Sequence, residues 1–363
     1  MFKKILNKIK FFCNINFRFD LPPKKKIIQY DELYSSVLKK IIKNDFNIIP
    51  TRKKEIYFWI FLKQIFYFDF TFKTYIINYT KFTQAKIFIT QIDNDIVFYK
   101  LKDCIEDTYF ISIQNGNRMK QNTTMFHYYG KNKKQKLKCD HVFVFNKYYI
   151  NKYQNSINSK FHVLGNLKNN LIKINKTKFR GSFLYISSYH KDFAYRDTII
   201  KSLNFIDSYF LKIDKKINIL LRSKNPEDHK KEINYYKKIF KSGCFFHKSS
   251  SWDKNYRILD RYENIISTNS TLGYEAISRK KKIAFLPLNK KERFAWPAPF
   301  KQNYNFFCAK KLTYFETERV LNNVFNCKES DWNKKYYEDI KDLMHFDKNN
   351  LKVKKVISKL LLN

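Results

Sequence analysis

Short apolar runs rich in Ile, Val, Phe and Tyr alternate along the chain with longer stretches whose apolar residues recur every three or four positions. The first kind has the length of a buried strand and the second the period of an amphipathic helix, so the alternation predicts strand-helix-strand units and parallel sheets. In the first half, strands are expected at Lys26–Tyr30, Asn47–Pro50, Lys86–Thr90, Tyr109–Ile113, His141–Phe145 and Phe161–Leu164. A helix is expected over Glu32–Lys43, where Leu33, Val37 and Ile41 form one stripe. The stretch Asn169–Gly181, NNLIKINKTKFRG, breaks the pattern and reads as a linker. Beyond it, strands are expected at Ser182–Ile186, Ile217–Leu221, Cys244–His247, Asn264–Ser267 and Lys282–Leu286. Helices are expected at Asp228–Phe240, at Thr313–Phe325 behind a Thr313/Glu316 capping box, and at Leu351–Leu362. The predicted fold class is α/β, with two Rossmann-like doubly wound domains facing a cleft. The first covers residues 1–170 and the second residues 171–363, and the last helix is free to pack back onto the first domain. In such sheets ligands bind beyond the carboxyl ends of the strands, which makes the turns after strands the places to search for chemistry.

Composition changes this picture little. At 363 residues, 44% hydrophobic and 18% aromatic, the chain can bury two large cores, which excludes a disordered protein. A formal net charge of +40 points at first to nucleic acid. The excess is Lys spread along the whole chain, together with abundant Ile, Asn, Phe and Tyr and only six Gly and seven Pro, the bias that an AT-rich genome imposes. Arg clusters suited to reading base edges are missing, so no nucleic-acid partner is expected. What survives is an attraction to anionic phosphates and anionic membrane surfaces. The six cysteines lie far apart, without C-x-x-C or zinc spacing, and read as reduced thiols of a cytoplasmic protein. No apolar run reaches the roughly 18 residues of a membrane span; Tyr57–Tyr79 is interrupted by Lys63, Asp69 and Lys73. The N-terminal MFKKILNKIKFF is basic and amphipathic without a cleavage site, which leaves peripheral contact with the inner membrane open to it. The histidines show no metal-binding spacing and there is no Gly-rich phosphate loop, so neither metal nor cofactor is expected.

The densest chemistry is at Ile265–Ala276, where an apolar strand runs into Ser267, Thr268, Ser270 and Thr271 and then into a helix carrying Gly273 and Glu275. Hydroxyls and free N–H groups at a helix start suit a phosphate or diphosphate, and Glu275, one turn in, is placed to accept from a sugar or ribose hydroxyl. Plain N-capping also explains the Ser/Thr string. Here the chain resembles the GT-B glycosyltransferases and related surface-carbohydrate biosynthesis proteins, capsule and O-antigen enzymes among them. They carry a strand, then S-T-x-G-x-E-A, a short helix, a basic turn and another strand. The corresponding residues are Ser270–Ala276, Ser278-Arg279-Lys280-Lys281 and the strand KIAFLP, with Lys280 where relatives often have glycine. The likeness continues through Phe294–Phe300 and Tyr304–Phe307. It implies a nucleotide-sugar donor bound in the second domain, without a metal.

Other turns supply candidates at lower weight. Gln114, Asn115, Gly116 and Arg118 form a polar turn after a strand, in the position of a cleft-facing Q-x-G turn of this broad architecture, where related enzymes often have His in place of Asn115. Asp93 and Asp95 follow another strand and are candidates for the base that an inverting transferase needs, although helix capping is a competing duty. Gly165 and Asn166 stand at the domain junction, Ser187, Ser188 and His190 after the first strand of the second domain, and Arg222 after its second strand, where a cation offsets donor phosphate. The expected function is transfer of a sugar from a nucleotide-sugar to a surface glycan or lipid-linked glycan. The alternatives are a polyol-phosphate transferase or nucleotide-sugar epimerase on the same scaffold and, from another class, a nucleic-acid or anionic-surface binding protein.

Overall fold

The computed structural model describes residues 15–43, 45–52, 55–64, 66, 69, 71–116, 136–189, 196–223, 225–268, 270–286 and 305–362. A small parallel ribbon pairs β1 (Asn16–Arg18) with β4 (Glu55–Tyr57). Six further strands, β2 (Ile27–Tyr30), β3 (Asn47–Ile49), β5 (Ile87–Thr90), β6 (Tyr109–Ile113), β7 (Leu137–Val144) and β8 (Ile157–Val163), make a wholly parallel sheet in the order β3-β2-β5-β6-β7-β8. Five more, β9 (Phe179–Ile186), β10 (Ile217–Leu220), β11 (Cys244–His247), β12 (Tyr262–Ser267) and β13 (Lys282–Phe285), make a second parallel sheet in the order β11-β10-β9-β12-β13. Two Rossmann-like parallel sheets with helical crossovers are the GT-B architecture. In each sheet the winding reverses once, between β2 and β5 in the first and between β9 and β12 in the second, and such reversals open crevices for ligands.

Buried Ile and Val explain why the strands are continuous apolar runs, since both faces of each sheet are covered. One face of the first sheet, with Ile27, Ile87, Ile89, Ile111 and Phe143, packs against Val37, Leu38 and Ile41 of the Ser35–Ile42 helix. The Leu351–Leu362 helix returns to the same face and inserts Val353, Ile357 and Leu360, each worth about 1.5–3 kcal/mol when fully buried. The end of the chain thus completes the core of the first sheet.

Elements that depart from expectation have local causes. The first helix begins at Ser35, after Glu32 and Leu33, because Asp31 and Tyr34 hold left-handed φ values of 70° and 58°. The Asp31 carboxylate fixes that turn by accepting from the Leu33 amide at 2.7 Å, the Thr51 hydroxyl at 2.5 Å and Arg52 Nε at 2.9 Å. The stretch Tyr57–Tyr79 divides into a strand end and the helices Phe58–Leu62 and Phe72–Thr83. Among the described residues no helix is long and apolar enough to cross a membrane. The expected linker already supplies the short helix Leu167–Leu171 and the start of β9.

The basic turn after the Thr271–Ser278 helix closes as a Schellman motif. The Lys280 amide donates to Ile277 at 2.8 Å and the Lys281 amide to Ala276 at 3.1 Å, while Lys280 takes φ 59°. That left-handed position accounts for the glycine that similar chains favour there. Replacing Lys280 with glycine is expected to raise stability by about 0.5–1 kcal/mol, because relief of left-handed strain outweighs the added freedom of the unfolded chain. Equilibrium denaturation checks this; a loss of stability would show that the Lys280 side chain contributes more than its backbone costs.

Candidate active site

The two crevices face one another. A pocket of ≈ 480 Å3 is walled on one side by Tyr34, Asn115, Asn166 and Lys168, which follow β2, β6 and β8. On the other side are the exits of β9 (Ile186, Ser187), β10 (Leu220, Leu221, Arg222) and β12 (Ser270, Thr271, Leu272, Glu275). Trp252, Asn255 and Tyr256, from the Trp252–Arg261 helix that follows β11, close it.

The positive groups come from different elements. Arg222 is exposed at the end of β10, and Lys168 sits on the Leu167–Leu171 helix with its ammonium 3.2 Å from the Tyr34 ring centre. The Thr271–Ser278 helix begins in the pocket, capped by the Ser270 hydroxyl, which accepts from the Leu272 amide at 3.3 Å. Two cations and a helix start suit an anionic group. Asn255 adds a buried side-chain oxygen with no hydrogen-bond partner among the described residues, an acceptor available to a ligand hydroxyl. Glu275 is 4% exposed, and burial raises its carboxyl above the ordinary range against the opposing effects of the Tyr256 hydroxyl, Lys168 and Arg279. Among the described residues no group of three His, Cys, Asp or Glu side chains could hold a metal ion.

Of the candidates read from sequence, Arg222, Ser270, Thr271, Glu275, Asn115 and Asn166 meet at this pocket. Ser267, Thr268 and Gly273 lie behind it and shape the wall: Ser267 and Thr268 are buried, and a Cβ on Gly273 would come within 2.2 Å of Ser267 Oγ. Several assignments change. Asp93 is 0% exposed; its carboxylate accepts from the Tyr153 hydroxyl and from the Asn115 amide at 3.2 Å, so it holds the β6 turn from inside the core and is not placed to take a proton from an acceptor. Asp95 caps the Ile96–Lys102 helix through the Val97 amide at 2.9 Å and also accepts from Tyr30 at 3.0 Å. Neither aspartate lines the pocket. Gln114 is likewise buried, donating to the Gly116 carbonyl at 2.9 Å and accepting from the Phe145 amide at 2.9 Å, so Gln114 and Gly116 build the turn that presents Asn115. Gly165, at φ 81°, makes its close approach to the C-terminal segment: a Cβ there would fall 1.9 Å from the His345 carbonyl oxygen. Ser188 is buried, its hydroxyl 2.5 Å from that of Tyr185. Arg118 and His190 lie outside the described residues.

Tyr34, Lys168, Trp252, Asn255 and Tyr256 were not anticipated. The last three had a signal, because the strand Cys244–His247 ends in KSSSW and Tyr256 follows Trp252 by one helical turn. Tyr34 and Lys168 had none, since their place depends on how the first sheet and the linker face the second.

Residues 111–361 match the model of a family described as "putative O-antigen biosynthesis protein". No curated protein matches the chain. Among solved structures, the MnaA–UDP complex of S. aureus superposes with a TM-score of 0.55 at 12% identity, over 93% of this chain and 97% of that one. The UDP-GlcNAc 2-epimerase of Methanocaldococcus jannaschii gives 0.52 at 10% identity, over 92% and 99%. A glycosyltransferase of Rickettsia africae gives 0.50 at 12% identity, over 94% and 99%. At these identities the likeness concerns the fold, which glycosyltransferases and epimerases share.

Proposed function

The chain belongs to this O-antigen biosynthesis family, and from that premise we propose that it is a glycosyltransferase that moves a sugar from a nucleotide-sugar to a surface glycan or lipid-linked glycan. The observation that carries the reading is a single pocket at the reversal points of both sheets, holding Arg222, Lys168, the Ser270–Thr271 helix start and Glu275. Arg222, Lys168 and the helix start stabilise the leaving nucleotide's phosphate charge, a role that requires no metal. Glu275 and Asn255 accept hydroxyls of the sugar or ribose, and Asn115 and Asn166, on the opposite wall, face the acceptor. Positioning of donor and acceptor in one cleft supplies the rest of the rate.

The test is a binding panel of UDP, CDP and GDP followed by product analysis with the sugar nucleotide of whichever base binds. Ligand at 100 times its dissociation constant should stabilise the protein by about 2.7 kcal/mol. Formation of a new glycosidic bond, unaffected by chelator, supports the proposal. Release of an epimerised sugar nucleotide, or transfer of a polyol phosphate, would move the chain to a related reaction, and no affinity for any nucleotide would sink the site assignment.

Glu275 permits a prediction with two readouts. A carboxyl raised by burial links folding to protonation, so its stabilisation is complete below the ordinary carboxyl range and is lost as pH rises through the folded value. Gln stays neutral throughout. Glu275→Gln is therefore expected to melt above wild type at pH 8 and to converge with it in acid, while nucleotide-sugar affinity falls by about 1.5–3 kcal/mol. A variant that melts lower at pH 8 but binds donor normally would make Glu275 a structural carboxylate.

A further inference from the structure

The loops that carry Ser187 and Arg222 into the pocket are gripped from behind by one face of the Pro226–Ile239 helix. Glu232 is 0% exposed, and its carboxylate accepts from the Arg222 amide at 2.9 Å, from the Ser223 amide at 2.9 Å and from the Ser187 hydroxyl. One turn later, the Tyr236 hydroxyl lies 2.8 Å from Ser187 Oγ and accepts from the Ser188 amide at 3.1 Å. One turn earlier, His229 Nε2 lies 2.7 Å from the Ser223 carbonyl oxygen and donates to it. Positions 229, 232 and 236 share one helix face, so a single rigid element ties together the ends of two adjacent strands, β9 and β10.

The geometry points to Glu232 as a positioning residue for the donor site: through Glu232, seconded by Tyr236 and His229, the helix fixes the backbone from which Arg222 reaches the ligand's phosphate. The physical argument is one of entropy and charge. Two adjacent amides that end a strand would otherwise be held only by water, and Arg222 would sweep from a moving base. A buried carboxylate that takes both amides in charge-assisted hydrogen bonds removes that motion before the ligand arrives. Its negative charge is spent on the loop backbone and on Ser187, which leaves the Arg222 guanidinium to the pocket. This role rests on the donor-site reading above, and it was invisible in sequence because a Glu that directly follows Lys230 and Lys231 in a Lys-rich helix looks like a solvated one.

The experiment is a double-mutant cycle read by UDP affinity, with amide hydrogen exchange as an independent measurement. Arg222→Ala is expected to weaken UDP binding about tenfold or more, and Glu232→Gln about three- to tenfold in the wild-type background but less than about twofold once Arg222 is alanine. Exchange at the Arg222 and Ser223 amides should accelerate in Glu232→Gln while the amides of β9 and β12 keep their protection. Should Glu232→Gln fail to fold, Tyr236→Phe removes one hydroxyl and is expected to show the same non-additivity with Arg222→Ala at smaller amplitude. Equal losses of affinity in both backgrounds, or uniform acceleration of exchange across the second sheet, would make the helix face a purely structural device and overturn the proposal. If wild type shows no affinity for UDP, CDP, GDP or pyrophosphate, the donor-site reading itself fails, and the positioning role with it.

Discussion

Replacing Arg279 with alanine is expected to destabilise the protein by about 3–5 kcal/mol, because it strands a buried carboxylate at the junction of the two sheets. The side chains of Arg279 and Asp260 are both 0% exposed and bonded in parallel, Nε to Oδ1 at 2.6 Å and Nη2 to Oδ2 at 2.5 Å. The remaining guanidinium donors reach Asn169 Oδ1 at 2.9 Å and the carbonyls of Ile172 and Lys173 at 3.2 Å each, so every N–H of the fork has an acceptor. Asp260 also accepts from the Asn175 amide at 2.8 Å, and Lys281 reaches both Thr177 and the Asp260 carbonyl. The connection between the sheets is therefore pinned to the second one by a single ionic knot, which adjoins the pocket where the Arg279 guanidinium lies 5.4 Å from the Tyr256 ring centre. Urea denaturation is the measurement, with the paired variant Asp260→Leu/Arg279→Met as control. Removing both charges together should restore most of the loss, and a single variant that costs less than about 1 kcal/mol would show that water already reaches the pair.

The knot joins three separate stretches of the chain, at residues 169–175, Asp260 and Arg279, so no local pattern announces it. The strands were legible because each is a short apolar run between polar turns: Tyr109–Ile113 and Cys244–His247 carry their own evidence, and the Leu351–Leu362 helix coincides with its predicted bounds. The helix start at Ser270 was legible for the same reason, since strand, hydroxyls, glycine and carboxylate are contiguous. Arg279 stood in what looked like a connecting turn in a chain of 72 Lys and Arg residues, and nothing local separates the few buried cations, Arg279, Lys281 and Lys282 among the described residues, from the many that are solvated. The aspartates failed in the opposite direction. Asp93 follows a strand, as a catalytic carboxylate would, but its partner Tyr153 comes 60 residues later and places it in the core. The pocket's first wall was partly hidden too, because Tyr34 and Lys168 acquire a role only when two sheets distant in sequence are set face to face.

Gly273→Ala is expected to cost about 1–3 kcal/mol of stability and to weaken nucleotide binding by about a hundredfold, although alanine is the better helix former by about 1 kcal/mol. A methyl group at this position would lie 2.2 Å from Ser267 Oγ, 2.5 Å from Ser267 Cβ and 3.4 Å from the Phe285 ring. The obstruction is not the far end of a flexible chain: Ser267 is 0% exposed, and its carbonyl holds the Leu286 amide at 3.0 Å. The Thr271–Ser278 helix must then move off β12, carrying Ser270, Thr271 and Glu275 away from Arg222 and Lys168. Displacement of one wall by about an ångström breaks hydrogen bonds to the ligand worth about 1.5–3 kcal/mol each where one partner is charged, and the loss of one or two of them is about two orders of magnitude in affinity. Ser267→Gly in the same chain removes both obstructing atoms, and Gly273→Ala/Ser267→Gly should regain most of the affinity even if some stability stays lost to the second glycine. The measurements are UDP titration and thermal melting of the single and double variants side by side. A single variant that melts higher and binds UDP as wild type does would mean that helix and strand have slack between them, and that the glycine serves neither packing nor the site.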